Sequence, residues 1–494
     1  MPARSRRCRL RTQPPARTRG VGSRPHRGRP RTGGAAGSRR RGGPTLARLL
    51  AVRVLERVER VRAFADLALH HTLASTELSG ADRALATEIV YGTLRWRGRI
   101  DFMLSQVLDR DLAKLEPMVA SILRAGAYQI LFSDRIPLSA AVDESVRCAR
   151  ALAAERACGL VNAVLRRLGR EHLDIGLPPL ERKPLEHLIH ALSLPPWIAR
   201  RWLDRFGPDA AAALARASNQ PAPRTIRANR LRHSADALLE QLRPEFPEAV
   251  RAGLAPDAIA LGRGASPGRD ASFLAGDYTV QDEAAQLVVE LLDPQPGDHV
   301  LDTCAAPGTK STAIAERIGD TGRVVACDRH AGRLRLVARD ARRLGLETLE
   351  IHQRDATSPL ADLVPDGRAG FDRTLVDAPC SGLGALRRNP DARWRIRERD
   401  VESLAKLQAS LLDQASRVVA PGGTLVYSTC TLLADENEGI IEAFLADHRE
   451  FRRTPREALP AGLAPVLGRD GALECFPHVH GTDGFFAVRL ERVA

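Results

Sequence analysis

The chain has 494 residues, of which 44% are hydrophobic and 27% are charged. This length allows two to four domains with separate cores, and no run of about eighteen apolar residues lacks a charge, so no transmembrane helix is predicted. The formal charge is +14, but residues 1–43 hold 14 arginines and no acidic residue, so the rest of the chain is neutral overall and can contact nucleic acid only through local patches.

Residues 1–43 are rich in Arg, Gly and Pro and have too few apolar residues to offset chain entropy, which predicts disorder. Three interpretations stay open: a basic arm that contacts RNA, a start codon assigned too far upstream, or a transit peptide. Few serines and the lack of an amphipathic stripe count against the transit peptide.

The eight cysteines form no C-x-x-C pair, so neither a metal site nor a disulfide scaffold is predicted. A reducing cytoplasm is the expected location.

Apolar residues recur at helical spacing from about Thr45 to Glu171, which predicts an all-α domain over residues 44–180. Ser139 is a candidate N-cap after a proline-started turn, and residues 159–168 form a closing amphipathic helix. These segments resemble the NusB-type RNA-binding domain, which implies RNA docking. Helical packing without a ligand is the alternative, and composition does not separate the two.

Prolines mark residues 181–275 as a linker followed by a small α+β module, whose function the pattern does not indicate. From Gly276 onward short apolar strands alternate with helical segments. This texture indicates βαβ units and a parallel sheet over residues 276–494.

The strand over residues 299–302 runs into a turn of small residues that ends at Lys310 and then into a helix, an arrangement that lets a nucleotide approach the backbone. Asp328 ends the next strand twenty residues after Gly308, where a carboxylate commonly binds ribose hydroxyls. The turn lacks the G-x-G-x-x-G pattern, and an ordinary strand–helix connection is the alternative.

Two further predicted strands end in Asp355 and Asp377. With Asp328 they place three carboxylates at the carboxyl ends of strands, the edge at which open α/β sheets bind ligands. Capping of the following helix is the alternative for each acid taken singly.

Cys380 and Cys430 lie in polar turns beyond strand ends, so two thiols are expected to face one cleft. We expect Cys304 and Cys327 to be structural. Trp394 and six arginines follow Cys380, and we favour an RNA contact that also stabilises a thiolate over a solvated charge run. These arginines are Arg387, Arg388, Arg393, Arg395, Arg397 and Arg399.

The segments CAAPGTK (residues 304–310), DAPCSG (377–382), Asn389-Pro390 and STCTLLADENE (428–438) closely resemble the bacterial 16S rRNA cytosine-C5 methyltransferases of the RsmB/Sun type. The resemblance covers roughly residues 45–494. It implies an α/β Rossmann-like class I S-adenosylmethionine-dependent methyltransferase domain after the NusB-like and small α+β domains. It also implies that Cys430 attacks the base, that Asp377 holds the ring nitrogen and that Cys380 assists product release.

The resemblance implies the following cofactor contacts: Cys304, Ala305, Ala306, Pro307, Gly308, Thr309, Lys310, Asp328, Asp355 and Asp377. Thr309 departs from the family, which usually has a second glycine there; its side chain is expected to narrow the turn and alter cofactor contact without changing the reaction.

The prediction is therefore methyl transfer from S-adenosylmethionine to carbon 5 of a cytosine in 16S rRNA. The expected partner is small-subunit rRNA, without DNA or a membrane, and the expected protein is a monomer. The alternatives are a tRNA cytosine-C5 methyltransferase and a non-catalytic RNA-binding assembly factor.

Overall fold

The structure, a computed structural model, describes residues 44–152, 155–262 and 266–493. The predicted disorder of residues 1–43 lies outside these ranges. Within them, no helix combines the length and the apolar character needed to cross a bilayer.

The N-terminal part is helical, as its spacing predicts. Its helices are α1 (Leu46–Val61), α2 (Ala65–Ala74), α3 (Gly80–Arg95), α4 (Arg97–Val107), α5 (Pro117–Phe132), α6 (Leu138–Ala151) and α7 (Cys158–Glu171). One apolar core joins them, with Leu123 and Leu165 fully buried in it. The prediction that Ser139 is an N-cap is wrong. The N-cap of α6 is Pro137, whose backbone is extended, so Ser139 lies inside the first turn of the helix.

The middle of the chain joins a linker to a small antiparallel sheet. The linker contains α8 (Pro184–Glu186) and α9 (Pro196–Ser218), and α9 bends at Gly207, whose φ is +76°. The module contains β1 (Thr225–Ala228), α10 (Ala235–Leu242), β2 (Val250–Arg251), β3 (Ala258–Ala260), α11 (Ala271–Ala275) and β4 (Tyr278–Val280). The sheet order is β2-β3-β1-β4. The strand β4 pairs with β1, although the boundary predicted after residue 275 assigns it to the next domain.

The C-terminal part is built on a mixed sheet. Its elements are α12 (Glu283–Leu292), β5 (His299–Asp302), α13 (Thr309–Arg317), β6 (Arg323–Asp328), α14 (Ala331–Leu344), β7 (Leu349–Gln353), β8 (Phe371–Asp377), α15 (Ala392–Arg395), α16 (Glu398–Ser416), β9 (Val419–Thr429), α17 (Glu438–Asp447), β10 (Phe451–Arg453), β11 (Leu473–Cys475), α18 (Pro477–His480) and β12 (Phe485–Arg492). The order is β10-β12-β9-β8-β5-β6-β7, with β11 paired to β12.

The strands β5 to β9 are parallel, and β10, β11 and β12 pair antiparallel. Successive residues of β5 enter different cores, Val300 on one face and Leu301 on the other, so helices cover both faces. Chain order reverses between β5 and β8. This reversal opens a crevice at the carboxyl ends of the strands, where such sheets bind ligands.

Candidate active site

The turn after β5 brings backbone close to this crevice. Gly308 has a φ of +112°, and a Cβ atom there would lie 3.1 Å from the Cα atom of Val337. Only glycine fits both conditions without strain. Ala305 and Ala306 are buried beside it, and α13 begins at Thr309, so the turn presents small residues and a helix N-terminus.

Asp302, the last residue of β5, lies beneath this turn and is fully buried. Its carboxylate accepts hydrogen bonds from Ser311 Oγ at 2.7 Å and from the Cys304 backbone N–H at 3.3 Å. Burial raises the pKa of Asp302 to about 7, and the negative charge of Asp377 adds to the rise. Asp302 ends a predicted strand in the same way as Asp328, but it is not among the site residues predicted from the sequence.

Of the other predicted acids, Asp328 lies at the end of β6 and accepts the His330 N–H at 2.8 Å. Asp355 is exposed and lies two residues beyond β7, which ends earlier than predicted. Its Oδ1 accepts the backbone N–H and the hydroxyl of Thr357, and these bonds hold the pKa of Asp355 below its usual value.

Asp377 connects the turn to the cysteine loops. Its Oδ2 accepts a hydrogen bond from Lys310 Nζ at 2.6 Å, and its Oδ1 accepts one from Ser428 Oγ at 2.8 Å. Burial alone would lower the pKa of Lys310, but the Asp377 carboxylate reverses this and, with Cys430 and Asp302, raises it. The Lys310 ammonium is therefore held beside Asp377 and within electrostatic reach of Cys430.

The two candidate cysteines meet. Cys380 Sγ and Cys430 Sγ lie 3.4 Å apart, one in the loop after β8 and the other after β9. Main-chain bonds align these loops: Ala378 N–H donates to Ser428 O, and Gly384 N–H donates to Cys430 O. The hydrogen bond with Cys430, burial and the nearby Glu436 hold the pKa of Cys380 well above its ordinary value.

The buried carboxylate of Glu436 connects the two cysteine loops through hydrogen bonds. It accepts hydrogen bonds from the backbone N–H and the hydroxyl of Ser381, at 2.9 and 2.5 Å, and from Gln408 Nε2 at 2.9 Å. The Ser381 hydroxyl in turn meets the Thr431 hydroxyl at 2.6 Å. Glu436 therefore ties the neighbour of Cys380 to the neighbour of Cys430. Glu436 lies in the segment 428–438 that resembles the family, but the sequence does not indicate which residues bind its carboxylate.

The RNA contact expected of the arginines after Cys380 is wrong for Arg387 and Arg393, which are buried, and stays a prediction for the other four. Arg393 is fully buried and donates to Asn219 Oδ1 at 2.8 Å. Arg388 binds Asp483 and Asp282, at 2.6 and 2.7 Å. Arg387 is buried near Asp483, and Arg395 packs on the Phe64 ring. Trp394 donates to Leu94 O at 2.7 Å. Arg397 and Arg399 are exposed.

The remaining cysteines near the sheet agree with a structural role. Cys327 is fully buried in β6, and burial raises its pKa to about 12. Cys304 is half-buried at the start of the turn, and burial raises its pKa as well. Across the described ranges, no group of three or more His, Cys, Asp or Glu side chains is arranged to hold a metal ion.

Three protein families match successive parts of the chain. The NusB family matches residues 45–170. The family described as "Methyltr_RsmF/B-like, ferredoxin-like domain" matches residues 194–266. The family described as "16S rRNA methyltransferase RsmB/F" matches residues 289–491.

Individual proteins are similar over most of the chain. The probable ribosomal RNA small subunit methyltransferase B of Bacillus subtilis is 36% identical over 91% of this chain and 99% of its own length. The ribosomal RNA small subunit methyltransferase B of Sodalis glossinidius is 38% identical over 84% of this chain and 90% of its own. The crystal structure of PH0851 superposes with a TM-score of 0.74 and 26% identity, covering 90% of this chain and 99% of that one.

Proposed function

The chain belongs to the RsmB/F family of 16S rRNA methyltransferases, and we propose that it methylates carbon 5 of a cytosine in 16S rRNA through a covalent bond to Cys430. The observation that carries this proposal is the 3.4 Å approach of Cys380 Sγ to Cys430 Sγ beside the Lys310–Asp377 pair. Two thiols at the ligand edge of an α/β sheet fit a reaction in which one sulfur bonds to the base while the other assists its release.

The cofactor is S-adenosylmethionine, and the residues at the crevice fit it. The turn from Cys304 to Lys310 offers close backbone approach at Gly308, and Asp328 and Asp355 follow the two neighbouring strands. Asp377 borders the crevice on the side of the cysteines. When bound, S-adenosylmethionine supplies an electrophilic methyl group on a sulfonium.

Cys430 is the nucleophile. Carbon 5 of cytosine is a poor nucleophile until a thiolate adds to carbon 6 and turns the ring into an enamine. The Lys310 ammonium, which Asp377 holds at 2.6 Å, lies within electrostatic reach of the Cys430 sulfur. The hydrogen bond with Cys430, burial and the nearby Glu436 raise the pKa of Cys380, so Cys380 is held as a thiol.

Asp377 and Cys380 act on the other atoms of the ring. The Asp377 carboxylate, fixed by Lys310 and Ser428, holds the ring nitrogen and stabilises its protonated state as the adduct forms. After methylation, the carbon 5 proton passes to the Cys380 sulfur, while Cys380 gives its own proton to the departing sulfur of Cys430, 3.4 Å away. The electrons of that C–H bond restore the ring double bond as the bond from Cys430 to carbon 6 breaks.

The substrate base leaves its stack to reach the sulfur, and the NusB-like domain holds the surrounding RNA. We expect a monomer that acts on RNA and not on DNA. The cytoplasm, where thiols remain reduced and ribosomal RNA is assembled, is the compartment that suits this chemistry.

The test is transfer of a radiolabelled methyl group to 16S rRNA, either protein-free or in assembling small subunits. We expect Cys430→Ala to reduce transfer to background and Cys380→Ala to form the bond to RNA but retain it as a covalent complex. Cys148→Ala, a buried cysteine in α6, is the matched control and should transfer at the wild-type rate. The reverse pattern for Cys430 and Cys380 would refute the assignment of their roles.

Two other outcomes would redirect the proposal. Labelling of tRNA instead of rRNA would make the chain a tRNA methyltransferase. Cofactor binding by calorimetry without transfer to either RNA would favour a non-catalytic assembly factor.

A further inference from the structure

A buried arginine of the small α+β module contacts the cofactor half of the catalytic sheet. Arg227 lies in β1, the strand between β3 and β4, and only 4% of its side chain is exposed. Its ion-pair partner is Glu316 on α13, of which 2% is exposed. A charge is rarely taken so far from water unless its donors are satisfied, so the partners of this guanidinium identify what it holds.

Each of the five N–H groups of the Arg227 guanidinium has an acceptor. Nε and Nη2 form a fork on the Glu316 carboxylate, at 3.1 and 2.9 Å. Nη2 also donates to Thr312 Oγ1 at 3.2 Å, and Nη1 donates to Gln281 Oε1. The remaining bond, 2.7 Å long, runs from Nη1 to the backbone carbonyl of Thr309.

The Thr309 carbonyl belongs to the turn that is proposed to bind the cofactor. Thr309 follows Gly308 and precedes Lys310, whose ammonium binds Asp377 at 2.6 Å. A shift of this carbonyl would move the first turn of α13 and with it the residues on both sides. Arg227 and Thr312 are themselves buried, so neither is placed to touch a ligand directly.

The module holds the next helix of the cofactor half as well. Asn229, fully buried after β1, donates to Leu344 O at 3.2 Å at the end of α14. Arg343 of α14 donates to Tyr278 O in β4 at 2.9 Å. The helix α13 follows the turn that contains Gly308, and α14 follows β6, which ends in Asp328, so the module supports the side of the sheet opposite the cysteines.

We propose that Arg227 is a positioning residue for the cofactor turn, and that the small module sets the affinity for the cofactor by holding the Thr309 carbonyl and α13 through this side chain. The proposal rests on the proposed use of S-adenosylmethionine. If Arg227 served only to pair with Glu316, it would need no other partner on α13. It also donates hydrogen bonds to the Thr309 carbonyl and the Thr312 hydroxyl at the start of this helix.

The test compares Arg227→Lys and Thr312→Val with wild type in the full-length chain. Lysine keeps the charge opposite Glu316 but cannot reach five acceptors, and valine removes only the hydroxyl of Thr312. We expect the Kd and the KM for S-adenosylmethionine to rise about tenfold in Arg227→Lys and roughly fivefold in Thr312→Val. The KM for RNA and the kcat at saturating cofactor should stay within about twofold of wild type.

The matched control is Arg317→Met, which removes another ion pair of the same helix, that of Arg317 with Glu290. Since Arg317 lies at the far end of α13 from the turn, its cofactor Kd should equal that of wild type. Calorimetry and methyl transfer give these constants, and thermal unfolding checks that each variant folds. The Thr312 hydroxyl also donates to the Thr309 carbonyl at 3.2 Å, so if Arg227→Lys does not fold, an unchanged Kd in Thr312→Val still overturns the proposal.

An unchanged cofactor Kd in a folded Arg227→Lys or Thr312→Val variant would overturn the proposal. So would an equal loss of affinity for cofactor and RNA, which is what a general structural defect produces. Failure of the proposed function is a different result, because the wild-type chain itself would then neither bind S-adenosylmethionine nor transfer its methyl group.

Discussion

Cys380 and Cys430 have identical side chains in different electrostatic surroundings. The Lys310 ammonium, fixed by Asp377, lies within electrostatic reach of Cys430, whereas the hydrogen bond with Cys430, burial and the nearby Glu436 raise the pKa of Cys380. The surroundings of Cys380 therefore oppose its ionisation, which fits the proposal that Cys430 is the thiol that attacks.

Asp302 gives a pH-dependent prediction. Its folded-state pKa is about 7 and the ordinary value is 3.8, so the folded protein keeps a proton that the unfolded chain loses as the pH rises. Its contribution to stability is thus complete at acid pH and is lost as the pH rises through about 7. Asp302→Asn cannot titrate and should gain stability relative to wild type by about 1–3 kcal/mol between pH 5 and pH 8.

Urea unfolding at the two pH values measures this change. Asp366→Asn, at an exposed aspartate, is the control and should follow the wild type. A difference between Asp302→Asn and wild type that does not depend on pH would show that Asp302 is ionised in the folded protein.

At the scale of elements, the Glu436 carboxylate, just before α17, holds the two cysteine loops together. Glu436→Ala should lower the free energy of unfolding by about 2–4 kcal/mol, because it leaves the buried donors of Ser381 and Gln408 without their acceptor. It should also slow formation of the RNA adduct, since Ser381 and Thr431 flank the cysteines. Urea unfolding and single-turnover kinetics measure both effects.

Glu442→Ala removes an exposed glutamate of α17 and should change stability by less than about 0.5 kcal/mol. Equal stability of the Glu436 and Glu442 variants would contradict the importance of the buried network.

The strands of the catalytic sheet were predictable because short apolar runs end in acids. The limits of β5 and β6 agree with the predicted segments, whereas β7 ends at Gln353 because Asp355 bonds to Thr357 in a local turn. The positions of Cys380 and Cys430 beyond strand ends predicted that they meet. The hydrogen-bond partners of Glu436 and Arg227 could not be predicted, because these partners lie far away in the sequence and no periodic pattern indicates the contacts.

At the scale of the whole molecule, the segment after Cys380 joins the domains. Arg393 donates to Asn219 in the linker and to the carbonyls of Ser193 and Arg95, the last of these at the end of α3. Burial and the charge of Arg95 lower the pKa of Arg393 to about 9, so these neutral oxygens must offset a substantial desolvation cost. A run of arginines in a sequence suggests a nucleic-acid surface. The packing of Arg393 against α3 and the linker shows instead that Arg393 lies at a junction between domains.

Arg393→Met should therefore lower the free energy of unfolding by about 2–4 kcal/mol and weaken the coupling between the domains, because buried oxygens lose their donor. Differential scanning calorimetry should show the helical domain melting before the catalytic sheet. Arg399→Met, at an exposed position of the same segment, should melt as wild type does. A single transition at the wild-type temperature in Arg393→Met would contradict this role.

The most direct test of the central claim uses RNA in which the target cytosine carries fluorine at carbon 5. Fluorine cannot leave as the proton does, so the protein should remain bonded to carbon 6 after methyl transfer. Digestion and mass spectrometry should then identify a crosslinked peptide that contains Cys430. A stable crosslink through Cys380, or methylated RNA without any crosslink, would contradict the account.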